Sequence, residues 1–76
     1  MIKELDTVIL SRNLPGHRLK QGDIGAVVHC YKGGESFEVE FITGQGKTIA
    51  VLTLNKEDVR LMEDREILHV RKLQAA

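Results

Sequence analysis

The chain has 76 residues, 42% hydrophobic and 29% charged, which describes one globular domain and excludes a disordered polymer. Eleven basic residues balance eleven acidic ones, so the chain as a whole lacks the positive excess that supplies most of a nucleic-acid binder's affinity. One cysteine rules out an internal disulfide, and the acids in "MIKELDTVIL" break the apolar run of a signal peptide, so a soluble cytoplasmic protein without a membrane span is expected.

Strand signals dominate the first sixty residues. "TVIL" at 7–10 is β-branched and apolar, and "SRNLPGHRLKQG" interrupts it with Pro15, Gly16 and Gly22 to make a long loop. A second strand is expected over 25–31, followed by a hairpin turn at Gly33 and Gly34, where positive φ is tolerated. "SFEVEF" then alternates cleanly, with Phe37, Val39 and Phe41 on one face and Ser36, Glu38 and Glu40 on the other. "TGQG" forms the next turn and "KTIAVLTL" a fourth strand. "NKEDVRL" reads as one helical turn, with Asn55 as its N-cap and Asp58 three residues on, leading into a short fifth strand.

Five short strands, a long first loop and two tight hairpins predict an all-β fold. The expected form is a small SH3-like barrel over 1–62, with a helical turn before its last strand and a closed sheet that leaves no exposed edge. The extension at 63–76 places acids early (Glu63, Asp64, Glu66) and bases late (Arg71, Lys72), as a helix dipole prefers, and Ile67, Val70 and Leu73 share one stripe. Helix and extended strand both remain open for it.

Alternation assigns Val8, Leu10, Ala26, Val28, Cys30, Ala50, Leu52 and Leu54 to the core with the Phe37 set. Ile9, Val27, Tyr31, Ile49 and Val51 then form an outer apolar face. Such a patch on a small protein needs a cover, and the extension or a second copy of the chain would supply it.

The stretch Gly22-Asp23-Ile24-Gly25-Ala26-Val27 resembles the core of the KOW motif of ribosomal proteins and transcription elongation factors, which implies RNA binding. The same residues also serve a bend, since the glycines give backbone freedom and Asp23 can bond its own turn. Over residues 5–61, "LDTVIL…LKQGDIGAVVHCY…ESFEVEF…GKTIAVLTL…EDVRL" resembles a small bacterial family known as domain of unknown function 4926. That resemblance implies a fold and a bacterial origin but no activity. It also suggests a member of a two-protein pair of the toxin–antitoxin or immunity kind.

Other motifs resolve into structure. "GQGKT" ends like a phosphate-binding loop, but Phe41 stands where the first glycine belongs, and a strand follows where a helix is needed. His29 and Cys30 are neighbours in a strand and point to opposite faces, so they cannot form a thiolate–imidazole pair. His17, His29 and His69 lack metal-ligand spacing. Glu38 and Glu40 fit solvated strand positions, and a filled barrel leaves no substrate cavity, so neither catalysis nor a cofactor is expected.

The expected function is therefore non-catalytic protein binding, as the inhibitory, antitoxin-like member of a pair. The contact surface would comprise His17, Arg18 and Lys20 of the first loop with Tyr31 and Lys32 beside the hairpin. Tyr31 is the anchor, because an amphipathic ring at a turn suits an interface. Self-association through the outer apolar face and the tail belongs to the same expectation. A third reading, structural in kind, is a small subunit of a larger assembly held through that face. The alternative is RNA or DNA binding through the KOW-like loop. That reading requires Arg12, Arg18, Lys20, Lys32 and Lys47 to cluster without intervening acids.

Overall fold

The computed structural model describes residues 1–73; positions 74–76 of the expected extension lie outside the described residues. Five strands form one antiparallel sheet: β1 (Thr7–Leu10), β2 (Ile24–Cys30), β3 (Ser36–Ile42), β4 (Thr48–Asn55) and β5 (Val59–Leu61), in the spatial order β4-β3-β2-β1-β5. The sheet curls like a barrel but does not close, because β4 and β5 stay unpaired with each other. With three residues, β5 offers β4 too little edge to bridge the gap. The helical turn expected before β5 is a tight turn at 56–58, closed by the Asp58 N–H donating to the Asn55 carbonyl at 2.9 Å. The single 3₁₀ turn among the described residues lies instead at Pro15–His17, in the first loop.

Strand β1 is buried on both sides, as three successive aliphatic residues allow: Val8 and Leu10 enter the core, and Ile9 lies beneath the opposite surface between Ile24 and Arg60. In β3 the predicted alternation holds throughout, and Phe37, Val39 and Phe41 are all buried. Strand β2 departs from it, and β4 does so at Ile49 alone while Ala50, Leu52 and Leu54 face inward as expected, for one reason. Each carries a bulge, an extra residue that shifts the phase of the side chains beyond it.

In β2 the register moves from Val27 opposite Val39 to His29 opposite Glu38, leaving Val28 as the extra residue. Val27 therefore fills the core and Ala26 and Val28 face outward, the reverse of the sequence expectation, while Cys30 regains the inner side and packs on the core. In β4 the register skips Ile49, between Phe41–Ala50 and Ile42–Thr48, and Ile49 turns in against the core. The outer apolar face consequently loses Ile9, Val27 and Ile49. It consists of Tyr31 and Val51, joined by Val28 and Ile42.

The two glycines ahead of Ala26 have different duties. Gly22 has a φ of +95° and empty space around it, so its role is conformational. Gly25 has an ordinary φ, but a Cβ there would sit 2.6 Å from Val39 Cγ1 and 2.9 Å from Phe41 Cε1. It is glycine so that β3's core side chains can lie on the β2 backbone.

At the N-terminus the Asp6 N–H closes a turn onto the Lys3 carbonyl, and Leu5 occupies its third position with a φ of +74°. Leu5 N–H donates to Val27 O while Val27 N–H donates to Asp6 O, the hydrogen-bond pattern of a bulge that normally has glycine at this point. Leu5 is 86% exposed and gains almost no burial in exchange.

Replacing Gly25 by Ala is expected to destabilise the fold by about 1–3 kcal/mol through overpacking, whereas Gly22→Asn costs only a few tenths because asparagine tolerates positive φ. Denaturant midpoints at constant slope test this, and equal costs at both sites would refute the division of labour. Conversely, Leu5→Gly is expected to stabilise the protein by about 1 kcal/mol through release of the left-handed leucine, seen as a rise in Tm of several degrees. An unchanged or lowered Tm would mean that Leu5 is not strained.

Candidate functional site

The first loop is built rather than loose. Leu14 and Leu19 exchange backbone hydrogen bonds at 2.8 and 3.2 Å and are both buried, so the loop folds into a small hairpin that plugs one end of the core. At its tip His17 ends the 3₁₀ turn and Arg18 caps it at a φ of +60°. The Asp23 carboxylate accepts the Lys20 N–H at 2.8 Å, the local turn expected from sequence. His17, Arg18 and Lys20 thus stand together, exposed, at the start of β2.

Tyr31 and Lys32 follow the far end of β2, about 20 Å away at the rise of a strand. The five residues expected to form one surface therefore form two groups at opposite ends of that strand. The charge clustering that nucleic-acid binding would require is interrupted as well. Arg12 Nε donates to Asp58 at 2.6 Å, and Asp23 takes a fork from Arg71, with Nε at 2.7 Å.

The acid partners of Arg71, Arg60 and Arg12 are what the sequence does not show, because each finds its acid only through the fold. The tail leaves β5 without forming a helix among the described residues. Arg60 forks onto Glu66 at 2.8 and 2.6 Å, and the Glu63 N–H donates to the same carboxylate. Further on, Arg71 ties the tail to Asp23 and to the Arg18 carbonyl. His69, Val70, Arg71 and Leu73 line a cleft of about 360 Å³ with Leu19, Ile24, Ile42 and Ile49, at the loop end of the sheet and away from Val51 and Tyr31. Ile67, Leu68 and Val70 remain exposed.

The outer face of β3 and its neighbours holds the most ordered polar cluster. Glu38, paired across the sheet with His29 and Thr53, accepts the Tyr31 hydroxyl at 2.6 Å and the Thr53 hydroxyl. The Tyr31 ring meets His29 edge-on at 4.8 Å, and His29 Nδ1 lies 3.7 Å from Glu4. One register step away, Glu40 accepts the Thr48 hydroxyl at 2.7 Å. The hydroxyls of Thr53 and Tyr31 hold the Glu38 carboxyl below its ordinary range, and Glu38 in turn pushes the Tyr31 phenol upward. The cluster sits on an open surface of the sheet, where the two hydroxyls fix the orientation of the Glu38 carboxylate.

The phosphate-loop likeness at 44–48 is a hairpin turn. Gly46 N–H donates to Thr43 O, Lys47 N–H donates to the Thr43 hydroxyl, and β4 follows. No helix among the described residues is long and apolar enough to cross a membrane.

The ion pairs give a pH dependence. Asp58 is lowered by Arg12 and the Asn55 amide against its burial; for Asp23 burial acts upward, but Arg71 and the Lys20 amide outweigh it; Arg60 and the Glu63 amide bring Glu66 to about 2. Each carboxylate is thus more acidic folded than unfolded. Its stabilisation is complete above about pH 5 and disappears as pH falls through the folded value. We expect urea midpoints to be level from pH 7 to about 5 and to fall below that, with Asp58→Ala costing about 2 kcal/mol at neutral pH. A carboxyl titration by NMR should place Glu66 near 2, and a midpoint at its ordinary 4.5 would show that the fork does not persist in solution.

No curated protein and no solved structure is significantly similar to the chain. Residues 4–61 match a family described as domain of unknown function DUF4926. That span takes in all five strands, the Gly22–Gly25 bend and the Asp58 turn, and stops where the tail begins, so the chain belongs to the DUF4926 family and carries its extension outside the matched domain.

Proposed function

We propose that the protein is a non-catalytic protein-binding module of SH3-like architecture, working in a bacterial cytoplasm, and that it binds through the outer face of β2, β3 and β4. The observation that carries this reading is the exposure there of Tyr31, Val28, Ile42 and Val51, with Val51 half exposed in the middle of an edge strand. A small protein does not leave such a strip uncovered without use for it. Tyr31 is the natural anchor, since Glu38 and His29 hold its ring in place before any partner arrives. His17, Arg18 and Lys20 lie beyond this strip and would touch only a partner long enough to run the length of β2.

Nucleic-acid binding is the weaker reading. Lys3, Arg12, Lys56, Arg60 and Arg71 are each paired with a carboxylate, and Asp23 sits within the KOW-like bend itself. A role as the inhibitory member of a two-protein pair is compatible with a small binding domain and rests on the family resemblance alone.

Purification of the tagged full-length protein from its native cells is expected to retain a protein partner in near-stoichiometric amount. That partner should persist at 0.5 M salt and be lost with Tyr31→Ala or Val51→Lys. Recovery of RNA released by moderate salt would overturn the reading in favour of nucleic-acid binding.

A further inference from the structure

The two edges of the sheet are treated differently. The β5 edge has three residues, is centred on Arg60 with its Glu66 fork, and is protected by brevity and charge. The β4 edge has eight residues, "TIAVLTLN", with no charge and no proline. Its bulge lies near the start, so Ala50 to Asn55 run in unbroken register against β3 while their alternate N–H and C=O groups face away from the sheet. Natural proteins seldom leave such an edge undefended unless something pairs with it.

Next to this edge, the outer face of β3 presents Glu38 and Glu40. Their partners are the neutral hydroxyls of Tyr31, Thr53 and Thr48, and among the described residues no lysine or arginine forms an ion pair with either. The hydroxyls orient both carboxylates while leaving their charge uncompensated. Beyond β4 on the inner side lie the half-buried Ala50 and Leu52, which offer an incoming strand an apolar shelf.

We propose that the β4 edge receives an extended segment of a partner polypeptide whose residues alternate between apolar and lysine or arginine. This rests on the reading of the outer face as a protein-binding surface. The added strand pairs with β4 through its backbone. Its apolar side chains continue the inner layer past Ala50 and Leu52. Its basic side chains emerge on the outer face and reach over Val51 and Thr53 toward Glu40 and Glu38, two strand spacings or about 10 Å away, a distance that a long basic side chain and a glutamate span together. Period-two alternation makes both contacts available to a single segment.

The probe is the capped peptide Val-Lys-Val-Lys-Val-Lys-Val, titrated into isotopically labelled full-length protein. Its counterparts carry glutamate in place of lysine or N-methyl groups along one backbone edge. The lysine peptide is expected to shift and protect the amides of β4, the glutamate peptide to bind far more weakly, and the N-methylated peptide to lose binding. Glu38→Gln with Glu40→Gln, whose fold is checked by unchanged β1 and β5 resonances, should weaken the lysine peptide about tenfold, as two exposed ion pairs would. Equal binding of lysine and glutamate peptides, undiminished binding after N-methylation, or shifts confined to the first loop or the tail would each overturn the proposal. None of these results bears on whether Tyr31→Ala releases the native partner, so the two readings fail separately.

Discussion

The contact on which the rest of the structure turns is the seating of Val39 and Phe41 against the bare backbone of Gly25. Two strands approach so closely there that a single methyl group would collide with both side chains. The approach lets Phe41, Leu10, Val8, Val27 and Val39 become the fully buried centre of a very small protein. A chain of this size hides little of its surface, so every side chain in that centre counts toward a modest total stability. The bulges at Val28 and Ile49 serve the same end, since they bend β2 and β4 around the core that Gly25 admits.

Where the chain has no regular structure, arginine–carboxylate pairs replace it. Arg12 on Asp58 secures the turn before β5, Arg60 on Glu66 starts the tail, and Arg71 on Asp23 ties its far part to the base of β2. Pairs of this kind each contribute little where they are exposed, about 1 kcal/mol or less, and bidentate geometry gives the Arg60 and Arg71 pairs direction. Their effect on the surface charge is by subtraction. They consume positive charge that would otherwise form a basic field and leave Glu38 and Glu40 as oriented, uncompensated acids beside an open strand.

The sequence was legible where the backbone is regular. β3 reads correctly residue by residue because its period of two is never broken. The hairpin at Gly33 and Gly34 falls where expected, both residues having positive φ. β2 misled at 26–28, and β4 at Ile49 alone, because a bulge inserts one residue without any change in composition; Ala50, Leu52 and Leu54 face inward as their alternation says. Cys30 was placed inward correctly, but only because the bulge at Val28 reversed a phase that began wrongly at Ala26. Asp58 looked like part of a helical capping box; its carboxylate does take the Asn55 amide at 2.9 Å, yet no helix follows because β5 begins at once.

By itself, then, the sequence determined an all-β domain of five short strands, their order along the chain, the turns between them and an electrically neutral surface, since these depend on local periodicity and composition. Only the tertiary structure decided which residues of β2 face the core and that Ile49 joins them, why Gly25 must be glycine, which acid each arginine finds, and that β4 remains an edge. Those outcomes depend on the register between strands and on approaches between residues far apart in the chain, and neither leaves a mark in any short window of sequence.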